Sequence, residues 1–229
     1  MKFIVVGLGN FGASLAEKLT EQGNEVIGID SKMSKVTALK DTVSHTICLD
    51  ATDKVTVADL PLQNTDMVIV CIGEDRGVSV IVTAIFKNLG VKKLISRSTD
   101  SIHENILKAL GVNNIVKPEE ESADRWAKRL CLKGVIDSFD LNPYHSVVEV
   151  KAPSIFVGKT IQEIGFRENF NVLILTIIKP SNKNSFFGKG KWEHITGIPE
   201  PKTVIEAEDI LVLYGNSNDL QKIIKRKGE

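Results

Sequence analysis

Neither sign of charge is in surplus. The 29 Lys and Arg residues of the 229-residue chain face 29 Asp and Glu residues. The balance holds by halves, with 17 basic and 18 acidic residues up to position 138 and 12 and 11 beyond it. Binding a phosphate backbone needs clustered Lys and Arg, so this composition gives a nucleic-acid partner no footing. No block of like charge reads as a tail. Long apolar runs are also missing. The run at residues 172–178 is far short of the roughly 20 residues that span a bilayer. The apolar stretch at residues 3–6 is shorter than a signal-peptide core and leads straight into glycines, so a cytoplasmic protein is expected. Cysteine is scarce. Cys48, Cys71 and Cys131 match no metal or redox spacing, and their apolar neighbours suggest buried structural thiols.

Catalytic groupings are missing as well. The four histidines, His45, His103, His145 and His194, form no recognisable constellation with a carboxylate and read as solvated or structural. There is no Cys–His pair, Ser–His–Asp pattern or zinc spacing. A hydride-transferring enzyme needs an acid or base beside the nicotinamide, usually from a substantial second domain.

What the chain does have is ordinary globular composition, with 42% hydrophobic and 25% charged residues, and an alternating rhythm of elements. Strand-like runs at residues 2–6, 25–29, 45–49, 67–72, 93–96 and 114–117 alternate with a helical stretch that follows residues 7–12 and runs to about residue 22, and with others at 33–39, 54–60, 79–89 and 102–110. The nearly continuous apolar run at 67–72 suits a strand covered on both faces. About six strands, each returning through a helix, predict an α/β fold with a Rossmann-like, doubly wound parallel sheet. A further helix is expected over residues 119–133, with an apolar stripe of Ala123, Trp126, Ala127, Leu130 and Cys131. From Asp137 the rhythm changes. Asp140-Leu141-Asn142-Pro143 is turn chemistry, and residues 147–150, 172–178 and 210–213 read as strands. A short helix lies at 160–164, polar loop sequence at 181–190, and a closing basic helix at 219–227. The expected division is a nucleotide-binding domain over residues 1–138 and a small α+β C-terminal domain over 139–229.

Gly7-Leu8-Gly9-Asn10-Phe11-Gly12 sits between the first strand and the first helix. In that context the glycines allow a tight turn, approach of phosphate to the backbone and close helix–strand packing, while the helix N-terminus attracts the phosphates. Asp30 ends the second strand, followed by Ser31 and Lys32. Its carboxylate can accept both hydroxyls of a ribose and would repel a 2′-phosphate, which favours NAD or an adenosine nucleotide over NADP. Asp50-Ala51-Thr52 ends the third strand at the same crevice. Asp50 and Thr52 can bond an adenine edge while Ala51 leaves room for the base, or either can cap the helix near Lys54. Ile72-Gly73-Glu74-Asp75 follows the fourth strand, with Gly73 letting backbone approach a ligand. Arg97 ends the fifth and can pair with a phosphate, or stand exposed without a partner. Glu119 is either a helix-start acid or a carboxylate reaching a bound cation.

The glycine loop, Asp30, Asp50-Ala51-Thr52, Cys71-Ile72-Gly73 and Lys117-Pro118-Glu119 together resemble the regulator of potassium conductance (RCK) family, as in Trk and Ktr potassium-uptake subunits. Ser146-Val147-Val148-Glu149-Val150 and residues 158–164 resemble that family's C-terminal domain, so the likeness covers essentially the whole chain. It implies a cytoplasmic regulator of a membrane potassium transporter or channel, peripheral to the membrane through that partner. It further implies a homodimer assembling into an octameric ring, with NAD(H), ATP, ADP or AMP as regulatory ligand and a divalent or monovalent cation at Glu119. Some members bind cyclic di-AMP between C-terminal domains. Arg167 matches an arginine there, but the apolar pair before it is half present as Ile161-Gln162. The family's ATP sensors have an arginine where this chain has Asn10, which shifts expectation toward NAD(H), AMP or ADP. Two rivals stand beside this reading: a small NAD-dependent oxidoreductase, and a redox-sensing DNA-binding protein whose only basic helix candidate is residues 222–227.

Overall fold

The structure is a computed structural model that describes residues 1–131, 134–180 and 192–224. The chain divides into two compact units, Met1–Glu121 and Ser122–Glu229. Residue 138 falls inside a strand of the second unit, so the division precedes the expected boundary.

In the first unit, β1 (Lys2–Val6), β2 (Glu25–Asp30), β3 (His45–Cys48), β4 (Met67–Val70), β5 (Leu94–Arg97) and β6 (Asn114–Val116) form one sheet in the order β3-β2-β1-β4-β5-β6. Every pairing is parallel. The strand order reverses between β1 and β4, which opens a crevice at their carboxyl ends. Between the strands run α1 (Asn10–Glu21), α2 (Met33–Ala38), α3 (Lys54–Ala58), α4 (Arg76–Asn88) and α5 (Ser101–Ala109). Both faces of the sheet are packed. Ile4, Val6, Val68, Val70 and Phe86 lie in one core, and Phe3, Val5, Ala16, Val26 and Ile69 in the other. Three of these helices, α3, α4 and α5, start on a side-chain cap. Asp53, Asp75 and Asp100 accept from Val55 N, Val78 N and His103 N, so the cap of α3 is Asp53 rather than Asp50 or Thr52. His103 is buried at the start of α5, near Thr99.

The helix expected over residues 119–133 is α6, Pro118–Cys131, and Lys133 lies outside the described residues. None of its residues is buried. Trp126 and Leu130, of the expected apolar stripe, are 52% and 75% exposed. Cys48 and Cys131 are exposed and only Cys71 is buried, so two of the three expected buried thiols are not.

The second unit is built on an antiparallel sheet of β7 (Val135–Asn142), β8 (His145–Lys151), β9 (Val172–Pro180), β10 (Trp192–Ile195) and β11 (Ile210–Asn216), ordered β10-β9-β11-β8-β7. Residues 140–142, expected as a turn, continue β7. The chain reverses after them, with Asn142 Oδ1 accepting from Tyr144 N and His145 N. Burial alternates along β8, and along β11 from Leu211 onward, and Val148, Val150, Leu211 and Leu213 join Ile177, Phe156, Phe166 and Phe170 in one core. The short helix α7 (Ile161–Ile164) opens on a capping box, with Thr160 and Glu163 satisfying each other's backbone N–H. It is followed by α8 (Phe166–Phe170), which the sequence pattern does not reveal. The last helix, α9 (Ser217–Ile224), packs Leu220 and Ile223 into the same core, and the expected continuation to residue 227 lies outside the described residues. The same is true of the polar loop at 181–190.

On the opposite sheet face, Thr176, Val212, Glu149 and Asp137 are successive ladder partners. Arg125 of α6 forms a bidentate pair with Asp137, and Lys128 pairs with Asp140. The Arg125 guanidinium holds the Asp137 carboxyl below the usual range. Burial, helped by the Asp137 charge, pushes Glu149 above it. A carboxyl raised on folding costs stability when ionised, and that cost disappears as pH falls through its raised value. Glu149→Gln should therefore raise the melting temperature at pH 7, with the gain over wild type shrinking toward pH 4. Scanning calorimetry across that range checks it, and a pH-independent difference would contradict the assignment.

Candidate functional site

At the crevice between β1 and β4 the first unit holds a cavity of about 670 Å³, a volume suited to a cofactor-sized molecule. Its floor is set by backbone geometry. Gly7 takes φ +92°, and a Cβ there would lie 2.8 Å from Ile72 Cγ1. Gly12 is tighter, since its Cβ would stand 1.9 Å from the Gly7 carbonyl oxygen. Gly9 differs, because a Cβ on it would meet nothing within 4 Å. Gly7 and Gly12 thus shape the turn, and Gly9 leaves space for a ligand. No side chain caps the N-terminus of α1 at Gly9, so its N–H groups and dipole face the cavity uncompensated.

Asp30 anchors the loop. Its Oδ2 accepts from Leu8 N at 2.8 Å and its Oδ1 from Lys32 N at 2.9 Å, with the residue only 8% exposed. A carboxylate has about four acceptor positions, so capacity remains toward the cavity that Asp30 lines. Asp50 Oδ1 takes both the N–H and the hydroxyl of Thr52, at 2.9 and 2.7 Å, which holds its carboxyl below the usual range. Asp50 stays ionised and keeps its other oxygen for a donor.

Arg97 is neither exposed nor free of a partner. Its side chain is 16% exposed, pairs with Glu119, donates from Nη1 to Cys71 O at 3.3 Å and stands over the Phe11 ring, 5.9 Å from its centroid. Gly73 makes room for it, since a Cβ there would meet Arg97 Cζ at 2.6 Å. The role expected for Gly73 therefore goes first to this guanidinium. Glu119 does more than start a helix, because its carboxylate positions Arg97 at the cavity.

All the nucleotide-site residues picked out in the sequence line this one cavity except Gly12 and Thr52, which support it from behind. Lys35 and Asp75 also line it; Lys35 was not picked out, and Asp75 was named only as the end of the segment after the fourth strand. Lys35 had a signal, standing one helical turn after Lys32, whereas Asp75 serves as the α4 cap. Glu74 accepts from Lys35 and Lys32, and these hydrogen bonds, aided by the lysine charges, hold its carboxyl below the usual range.

Among the described residues no histidine lines the cavity. Cys71 does, but it is 2% exposed and burial pushes its thiol up to about 12, so it remains protonated and unreactive. Among the described residues no group of three His, Cys, Asp or Glu side chains is placed to hold a metal ion, and no helix is long and apolar enough to cross a membrane. In the second unit Arg167 is exposed on α8.

Residues 3–118 match the TrkA-N domain and residues 146–228 the TrkA-C domain. The Ktr system potassium uptake protein C of Bacillus subtilis is 34% identical over 98% of this chain and 96% of its own length. The Ktr system potassium uptake protein A of the same organism is 27% identical over 96% of this chain and 94% of its own length. Among solved structures, the GsuK RCK domain superposes with a TM-score of 0.64 at 18% identity, and the GsuK channel bound to NAD with 0.65 at 18%. This chain is covered completely in both, but spans 48% and 40% of those chains. With both units matched and a potassium uptake protein sharing its full length at this identity, the chain belongs to the regulator of potassium conductance family of TrkA-N/TrkA-C proteins.

Proposed function

We propose that the protein is a regulatory subunit that binds NAD(H) or an adenine nucleotide in the first unit and biases a potassium-translocating membrane partner. One observation carries this reading: a single cavity unites the uncapped α1 N-terminus, Asp30, Asp50 and Arg97. These groups suit, in turn, phosphate, ribose hydroxyls, a base amino group and a second phosphate. Relatives named as potassium uptake proteins supply the context, and the GsuK channel of the same fold binds NAD. Asn10 brings no charge to the phosphates, which favours NAD(H), ADP or AMP over ATP. The subunit would work on the cytoplasmic side of the membrane, held there by its partner, as a homodimer assembling into an octameric ring. Coupling requires only that the nucleotide bind one arrangement of the ring better than another. A cation at Glu119 would have to share that carboxylate with Arg97, and among the described residues no two further His, Cys, Asp or Glu side chains stand with it to complete a site. Such an ion belongs between subunits.

A thermal-shift panel of ATP, ADP, AMP, NAD and NADH tests the proposal. At a hundredfold excess over Kd a ligand adds about 2.7 kcal/mol, enough to raise the melting temperature by about 5 °C or more. If no nucleotide shifts the transition, the sensor reading loses its support. Consumption of NADH with any small substrate would favour the oxidoreductase instead.

A further inference from the structure

Two lysines and one glutamate meet across the cavity mouth. Lys32 and Lys35 stand at the start of α2, just after Asp30, while Glu74 comes from the segment that leaves β4. Lys32 Nζ donates to Glu74 Oε2 at 3.3 Å and Lys35 Nζ to Oε1 at 3.1 Å, so each carboxylate oxygen holds one lysine. Lys35 Nζ is also 3.7 Å from Asp30 Oδ2. Because β1 lies between β2 and β4, these pairs span the exit of β1, where the glycine loop begins. All four side chains line the cavity.

A ribose seated on Asp30 presents its 2′ position to this cluster. Cations beside the aspartate of the second strand are what a 2′-phosphate requires. Here Lys32 and Lys35 provide them, but Glu74 engages both, and the charges of Asp30, Glu74 and the two lysines cancel. A 2′-phosphate, with nearly two negative charges, would meet no net attraction.

We infer that Glu74 is a specificity residue of this site. By holding Lys32 and Lys35 across the mouth it confines the ligand to adenosine nucleotides with a free 2′-hydroxyl. Its removal releases two cations to a 2′-phosphate. The inference rests on the nucleotide reading of the cavity. The glutamate side chain is 71% exposed, and pairs this exposed contribute little to stability, so the fold does not lean on them.

Calorimetric titration of the full chain at low ionic strength tests it with two matched pairs: 5′-AMP against adenosine 2′,5′-bisphosphate, and NAD against NADP. Wild type should prefer the 2′-hydroxyl member of each pair by at least about tenfold. Glu74→Gln should narrow that ratio by about tenfold, the scale of one unit charge at ion-pair distance in a wet site. Glu74→Asp, whose shorter side chain reaches one lysine at a time, should fall between. Adding Lys32→Met and Lys35→Met to Glu74→Gln leaves Asp30 as the one charge of the cluster, and should bring the ratio back to the wild-type value or beyond it. An unchanged ratio in Glu74→Gln, or a gain that survives loss of both lysines, overturns the role of Glu74 while leaving nucleotide binding intact. If the wild type binds none of the four probes, the nucleotide reading falls and this inference falls with it.

Discussion

Gly12→Ala should abolish nucleotide binding and lower the stability of the first unit by about 3 kcal/mol, the upper range for overpacking a filled site. The new Cβ would lie 1.9 Å from the Gly7 carbonyl oxygen and 3.0 Å from Cys71 Cβ. The first of these is backbone, so no rotamer change relieves the clash. Either α1 lifts from the sheet or the turn at Gly7 opens, and both displace the N–H groups that face the cavity. Gly9→Ala is the matching contrast. Its Cβ has open space, and the backbone there is at φ −74°, which alanine adopts without strain. Stability should stay within about 0.5 kcal/mol of wild type, while affinity for any phosphate-bearing ligand falls because the methyl occupies the ligand's path. Urea unfolding followed by circular dichroism, with titration of NAD, separates the two. If both variants bind like wild type, the glycine loop does not hold the phosphates.

Asp30→Ala carries the second large effect. Deletion leaves the buried Leu8 N–H and the part-buried Lys32 N–H without their acceptor, at about 1–3 kcal/mol for each group left unpaired. A total near 2–4 kcal/mol is expected, since Lys32 N can recover water more readily than Leu8 N. Binding should suffer further. Two charge-assisted bonds to ribose hydroxyls are lost, about 1.5–3 kcal/mol apiece, so affinity for NAD or AMP should fall by about a hundredfold or more. Asp30→Asn keeps the shape but points a donor at one of the two N–H groups, and should recover only part of the stability. Wild-type affinity in the alanine variant would show that the ribose sits elsewhere.

The first unit was largely legible because each of its signals is local. A run such as Met67–Val70 followed by a helix can close only as a parallel crossover, and the spacing from Gly7 to Asp30 places both at the ends of neighbouring strands. What escaped was side-chain direction. That Arg97 turns to Glu119, and that Gly73 yields space to it, depends on packing between three loops distant in sequence. In the second unit, β7 ends in Asp140-Leu141-Asn142, residues typical of turns but tolerated at a sheet edge where one side needs no partner. The stripe on α6 marked a helix correctly, yet amphipathicity says only which face seeks cover, and within one chain Trp126 and Leu130 stay uncovered.

The strand orders of the two sheets also bear on synthesis. The first sheet is complete once β6 and the start of α6 have been made, and its parallel pairings need nothing downstream. In the second, β11 is the central strand, inserted between β9 and β8, although it is the last to leave the ribosome. A nascent chain stopped before Ile210 would carry a finished first unit tethered to a sheet lacking its middle. The first unit can therefore fold while the second is still waiting for its keystone.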